Sequence, residues 1–181
     1  MEIKSRTQLV DLMKELKLPL IACECGVAEA NYSLELLQAG IEKLYLIDLW
    51  ETMPFIPGCA SFDQSWHDKN YNDVIEKTKG YGDKVVILKG FSHKMVEQIQ
   101  DESLGMVYED SNHMYDGVKS TIQLFLPKII KGGIFAFHDF ANEGYGVGRA
   151  VTEYFSVINT EIHELIEDGD INNIGAYIIK Q

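Results

Sequence analysis

Leu20-Ile21-Ala22-Cys23-Glu24-Cys25-Gly26-Val27-Ala28-Glu29-Ala30-Asn31 is a short apolar run, broken only by Glu24, that gives way to small residues. Six residues is strand length, and near-continuous apolar character marks a strand buried on both faces. Helical spacing follows over 32–38, with Leu34, Leu36 and Leu37, and Gly40 ends it. The same texture recurs outward from this unit. Apolar runs stand at 44–49, 85–88, 106–108 and 134–137. Stretches of helical spacing lie at 7–16, 71–79, 93–100, 115–130 and 146–158. Such alternation predicts βα units and a mostly parallel sheet. The texture changes after 158, where 161–167 and 174–179 read as strands around Asp168-Gly169-Asp170, and Asp-Gly is a hairpin signal. The prediction is an α/β fold: a doubly wound, Rossmann-like, mostly parallel seven-stranded sheet with helices on both faces and a C-terminal antiparallel hairpin. No repeat or linker interrupts it, so residues 1–181 read as one domain.

Composition narrows the function. The net charge is −12, and lysine and arginine cluster nowhere. A phosphate backbone repels such a surface, so no nucleic-acid partner is expected. No apolar run approaches the roughly 20 residues that span a bilayer, and no signal peptide is visible. A cytoplasmic protein without a membrane partner is the expectation. Cys23, Cys25 and Cys59 are too few for a disulfide framework. Cys23 and Cys25 fall on one face of a strand and read as packing residues.

Ligands of open α/β sheets bind beyond the carboxyl ends of the strands, so the residue after each run carries the most information. After the first run, Gly26, Ala28 and Ala30 let a ligand approach the backbone, and Asn31 or Ser33 can cap the next helix. Glu24 and Glu29 flank this loop with negative charge, which disfavours a diphosphate and favours an ammonium group. The second run reaches Asp48, about 20 residues beyond Gly26, where an acid can accept the hydroxyls of a ribose or simply cap a loop. The third leads to Lys89-Gly90-Phe91-Ser92, a turn that frames a base edge or caps a helix. The fourth gives Tyr108-Glu109-Asp110-Ser111-Asn112-His113-Met114-Tyr115, and the fifth His138-Asp139-Phe140. Ionisable groups at several strand ends in one topological position point to chemistry. Residues 50–67, holding Trp50, Pro54, Pro57, Gly58, Phe62 and Trp66, form the longest stretch without pattern, and long loops in compact domains are often functional.

Taken together, Glu24-Cys25-Gly26, Ile47-Asp48-Leu49-Trp50, Val107-Tyr108 through His113-Met114-Tyr115, and Gly132-Gly133 through His138-Asp139-Phe140 resemble class I S-adenosylmethionine-dependent methyltransferases. The likeness is to the small bacterial group with E-x-G, I-D-x-W, Y-x-D-x-x-H-x-Y and H-D-Y/F motifs (methyltransferase domain 24-like), and it covers about 20–155. It implies that Glu24, with the backbone at Gly26 and Ala28, holds the methionyl end of S-adenosylmethionine. It also implies that Asp48 binds the ribose, that Gly90 and Ser92 border the adenine, and that Asp110 lies near the methyl group. Two positions depart from the pattern: Ala30 replaces the last glycine of the first loop, and Phe91 stands where an acid is often found.

The resemblance also implies methyl transfer to a small-molecule acceptor, a hydroxyl of a sugar or natural product. His113 stands where catechol-type relatives carry a catalytic lysine, and His138 is the competing base. Asp110 and Asp139 match two aspartates that hold magnesium in those relatives, and His138 beside them admits a softer divalent metal. Acceptor contacts are expected from the N-terminal helix, the 50–67, 112–116 and 140–146 loops, or the partner in a homodimer. Gly144 and Gly146 read as a mobile segment. The competing readings are an inactive nucleoside-cofactor-binding regulatory module and an NAD-dependent oxidoreductase.

Overall fold

The computed structural model describes residues 3–53, 62–167 and 170–181. Pro54, Pro57, Gly58 and Cys59 of the long loop, and Asp168-Gly169 of the hairpin turn, lie outside the described residues.

Apolar runs form the strands, as their texture predicts. These are β1 (Ile21–Cys25), β2 (Lys43–Asp48), β3 (Val85–Lys89), β4 (Leu104–Glu109), β5 (Ile129–Phe137), β6 (Ile162–Glu167) and β7 (Asp170–Ile179). They make one seven-stranded sheet in the order β3-β2-β1-β4-β5-β7-β6. The first five strands are parallel, and β7 runs antiparallel to both β5 and β6. The chain therefore moves outward from β1 to β3 and crosses back to β4. That crossover places the topological switch, and the crevice that goes with it, at the carboxyl ends of β1 and β4.

Helices α1 (Leu9–Glu15), α2 (Asn31–Gln38) and α3 (Gln64–Thr78) cover one face, where Leu9, Met13, Leu36 and Val74 meet Ala22, Leu46 and Met106. Helices α4 (Ser92–Met95), α5 (Tyr115–Phe125) and α6 (Val147–Val157) cover the other, where Ile122, Phe125 and Phe155 meet Cys23, Cys25, Val107 and Phe137. Fully burying each large side chain contributes about 1.5–3 kcal/mol, and period-2 alternation sorts the strands between the two cores. Cys23 and Cys25 are buried free thiols on one face, as read from their spacing. Burial pushes the Cys25 thiol well up, so it packs rather than reacts.

The strand expected over 174–179 begins at Asp170, and three helix boundaries differ from the periodicity. The helix expected over 115–130 ends at Phe125, because Pro127 lacks an N–H and opens a tighter turn, after which β5 starts at Ile129. The helix expected over 71–79 begins at Gln64, capped by Asp63, whose carboxylate accepts from the Trp66 N–H at 2.9 Å. Helix α4 stops at Met95 and continues only as a short 3-10 turn over Val96–Gln98.

Candidate active site

The turn after β1 sets the geometry of the crevice. Gly26, Ala28 and Ala30 all have positive φ, of 85°, 48° and 65°. Gly26 has no room for a side chain: a Cβ there would lie 2.2 Å from the Asp110 carbonyl oxygen. The glycine is therefore set by close approach of the β1 and β4 ends, rather than by a ligand. Neither Asn31 nor Ser33 caps α2. Its cap is Ala30, without a side-chain bond, and Asn31 is already helical. Ser33 turns inward, and its hydroxyl donates to Glu24 Oε2 at 2.5 Å. Similarly, Phe91 caps α4 and Ser92 is its first residue.

A cavity of about 670 Å³ opens at this end of the sheet, within the range of small-molecule sites. Glu24, Gly26, Ala28, Asp48, Gly90, Ser92, Asp110, His113 and His138 line it, so strand-end residues from β1 to β5 converge as the sequence implied. Arg6, Tyr32, Trp50, Phe62, Trp66 and Phe91 complete much of the wall.

Asp48 is already engaged. Its Oδ2 accepts from the Val27 and Ala28 N–H groups at 2.8 and 2.9 Å, and Oδ1 from the Trp50 N–H at 3.0 Å. A carboxylate has about four acceptor positions, so about one remains for a ligand hydroxyl. The same carboxylate thus shapes the β1 turn and faces the cavity. Trp50 closes the turn from the other side, with its indole N–H donating to the Ala28 carbonyl at 2.9 Å.

Glu24 is 3% exposed. Burial pushes its carboxyl up to about 8, and the Ser33 hydroxyl offsets only part of that. A ligand ammonium placed here would restore the ionised form. Glu109, equally buried, is pushed up to about 7 by burial. Its Oε1 accepts from the Ser111 hydroxyl at 2.7 Å and from the Ser111 and Asn112 N–H groups at 3.3 Å, which pins the turn carrying Asp110 and His113.

Asp110, His113 and His138 on the cavity wall, together with Asp139, bring one ligand atom each within 4.8 Å of one another. His113 Nε2 lies 3.3 Å from both Asp110 Oδ1 and Asp139 Oδ2. His138 Nδ1 lies 3.4 and 3.0 Å from the same two oxygens. Burial alone would lower the His113 pKa, but Asp110 and Asp139 outweigh it and hold the imidazole above its ordinary value. Asp139 is held below the usual carboxylate range, because His138 and His113 outweigh its burial. Tyr145 stacks on His113 with centroids 4.5 Å apart, and the Gly146 N–H donates to the His113 carbonyl at 2.7 Å. Gly146 sits where a Cβ would meet Tyr115 N at 2.2 Å, so close packing requires a glycine there.

The sequence matches the methyltransferase-domain family over residues 23–140, well over half of the chain. The chain belongs to that family. No curated protein matches it in sequence. Among solved structures, the O-methyltransferase NovP is similar at a TM-score of 0.69 and 18% identity, over 97% of this chain and 77% of that one. The O-methyltransferase TomG of Streptomyces achromogenes, involved in tomaymycin synthesis and solved with S-adenosylmethionine, is similar at 0.65 and 11%, over 97% of this chain and 80% of that one. A chain from Clostridium thermocellum proposed as an rRNA methylase is similar at 0.68 and 13%, over 100% of this chain and 98% of that one. At these identities the likeness is one of fold.

In this methyltransferase domain the two departures fall differently. Ala30 is fully buried and away from the cavity wall, so its methyl group does not obstruct a ligand. Holding Ala28 and Ala30 in the left-handed region costs roughly 1–2 kcal/mol each. Phe91 does line the cavity, stacked on His93, and offers an apolar surface in place of an acid. Sequence reasoning missed Arg6 and Tyr32. No motif contains them, and their approach to β4 joins residues far apart in the chain.

Proposed function

We propose that this methyltransferase domain transfers a methyl group from S-adenosylmethionine to a hydroxyl of a small molecule, a sugar or another natural product, in the cytoplasm. The observation that carries the reading is the single cavity lined by Glu24, Asp48, Gly90 and Ser92 and by Asp110, His113 and His138, the last three clustered with Asp139. NovP and TomG, both O-methyltransferases, agree with it.

S-adenosylmethionine, when bound, supplies the transferable methyl group. The chain supplies alignment and exclusion of water. Glu24 and the turn at Gly26–Ala28 hold the methionyl end, Asp48 takes a ribose hydroxyl, and Phe91 and Ser92 border the base. His113 takes the acceptor's proton, and Asp110 and Asp139, both beside Nε2, stabilise the resulting imidazolium. His138 reinforces the same pair of carboxylates.

The cluster also fits a divalent cation. Two carboxylates and two imidazoles converge from four separate positions, and this mixed donor set favours manganese, iron or zinc over magnesium. Bound there, a cation would lower the pKa of the acceptor hydroxyl. Titrating chelator-treated protein with manganese and magnesium separates the two modes. Saturable manganese binding, reduced at least about tenfold by Asp139→Asn, supports the metal. No binding leaves His113 as the base, and His113→Ala then slows turnover with little change in cofactor affinity.

Glu24, Glu29, Asp48, Glu51 and Asp110 lie on the cavity wall. This acidity favours a sulfonium ligand and disfavours a phosphate backbone, which argues for a small acceptor rather than the RNA proposed for the Clostridium thermocellum relative. Titration calorimetry with S-adenosylhomocysteine tests the reading. Saturable binding, weakened at least about tenfold by Asp48→Ala, is expected. Absence of binding tighter than about 1 mM, or about −4 kcal/mol, overturns it.

A further inference from the structure

Glu51 and Met53 after β2, with Phe62, Trp66 and His67 around the start of α3, form a stretch of cavity wall apart from the cofactor contacts and the acid–base cluster. Phe62 and Trp66 stack with centroids 3.9 Å apart and planes within 14° of parallel. The His67 ring stands near-perpendicular to both. Side-chain bonds tie the two arms together. The Gln64 amide donates to the Trp50 carbonyl at 3.2 Å and accepts from the Thr52 N–H at 3.1 Å. The Thr52 hydroxyl donates to the Phe62 carbonyl at 3.2 Å. The backbone of Glu51, between Trp50 and Thr52, is therefore held against the segment that carries the aromatic pair.

Met53, Phe62 and Phe91 are left 37%, 39% and 41% exposed, and all three line the cavity. Such a rim buries much apolar area when a ring is laid on it, and aromatic faces also attract a cation. The charge on the wall is mostly of one sign. Glu29, Asp48, Glu51 and Asp110 line it, and among the described residues Arg6 is the only lysine or arginine that does. Arg6 is engaged, with Nη1 donating to the Tyr108 hydroxyl at 3.3 Å and its guanidinium carbon 4.5 Å from the Tyr32 ring centroid. Asp48 is held by the β1 turn, and Glu29 accepts from the Asn31 amide at 2.7 Å. Glu51 is exposed, and its carboxylate has no hydrogen bond or ion pair among the described residues.

We infer that Phe62, Trp66 and Glu51 form the acceptor subsite and select an acceptor whose ring carries a protonated amine, the ring lying on the aromatic stack and the ammonium meeting Glu51. The inference rests on the methyltransferase reading above and adds the acceptor's charge to it. An amino sugar and a hydroxylated aryl amine both present this chemistry. A carboxylate or phosphate in the same place would face Glu51 with no cation to pair it, so a nucleotide-linked sugar is a poor acceptor here. The competing occupant is the adenine of the cofactor, which also suits an aromatic face but brings no charge for Glu51.

The test uses the full chain saturated with S-adenosylhomocysteine and two matched pairs of probes. Glucosamine and glucuronate share a pyranose ring, and tyramine and 3-(4-hydroxyphenyl)propionate share a phenol. In each pair one member carries an ammonium and the other a carboxylate. Calorimetry is expected to show the amine of at least one pair bound at least about tenfold more tightly than its acid partner, and the pair that responds identifies the ring as sugar or phenol. Glu51→Gln should remove most of that preference, and Phe62→Ala should weaken the amine about threefold or more. Neither should change S-adenosylhomocysteine affinity. Acids that bind as tightly as the amines overturn the inference, as does a preference that survives Glu51→Gln, or absence of binding by every probe at about 10 mM. Weakened S-adenosylhomocysteine binding in either variant also overturns it and gives the stack to the adenine. Wild-type protein that does not bind S-adenosylhomocysteine removes the methyltransferase reading beneath it.

Discussion

Gly26→Ala is expected to destabilise the protein by about 3 kcal/mol and to abolish cofactor binding. A methyl group at this position would sit 2.2 Å from the Asp110 carbonyl oxygen and 2.7 Å from Ser111 Cα, all backbone, so no flexible side chain can yield. Overpacking a tight site costs about 1–3 kcal/mol, and a φ of 85° adds roughly 1–2 kcal/mol for any residue with a Cβ. The strain falls on the functional geometry. Relief requires the end of β4 to move away from β1, against the bond from the Asp110 N–H to the Cys25 carbonyl at 2.7 Å. Asp110 would then leave the cluster it forms with His113, His138 and Asp139. Thermal unfolding and calorimetry with S-adenosylhomocysteine check both halves. A variant with unchanged melting temperature would show that the two strand ends are not in contact in solution.

Gly26 also shows how far the sequence could be read. A glycine after the first apolar run signalled a special turn, and the turn is there. The sequence attributed it to ligand approach, because the nearer cause is a backbone neighbour more than 80 positions away. The same limit recurs elsewhere. The apolar runs placed the strands, since burial on both faces leaves a local texture. The ionisable residues after each run marked the site, since a parallel sheet delivers all its carboxyl ends to one side. Side-chain direction carried no such mark. Ser33 was an equally good helix cap by type, yet it serves Glu24. His113 and His138 were competing bases by position, yet both point at the same two carboxylates. Arg6 precedes the first strand in a segment whose apolar stripe was the only pattern, and its contact with Tyr108 is purely tertiary. Pro127 is a local mark of where α5 ends, since its missing N–H cannot continue the helix.

Stability is expected to fall as pH rises from about 5 to about 8. Burial dominates Glu24 and pushes its carboxyl from 4.5 to about 8 in the folded chain. Below about 4.5 the group is protonated in both folded and unfolded states, and its contribution is fully present. Above that, the unfolded chain releases the proton and the folded chain keeps it. The folded state therefore loses about 1.4 kcal/mol of relative stability per pH unit until the folded pKa is passed. Glu109, pushed up to about 7, adds in the same direction. So does His113, whose raised pKa favours the folded state below its ordinary titration range. For a domain of this size, a loss of several kcal/mol lowers the melting temperature by roughly 10 °C. Glu24→Gln removes one titration, so its melting temperature should fall less steeply and exceed that of the wild type at pH 8. A flat wild-type profile, or an equal slope in the variant, would place Glu24 in contact with water. The same proton links stability to binding. A ligand ammonium beside Glu24 favours the carboxylate, so S-adenosylhomocysteine binding near pH 7 should expel a proton, and its apparent enthalpy should vary with the ionisation enthalpy of the buffer. In Glu24→Gln that dependence should shrink by the proton Glu24 contributes. The acid that destabilises the empty domain is thus the one whose ionisation the cofactor restores, which makes binding and folding report on a single buried carboxyl.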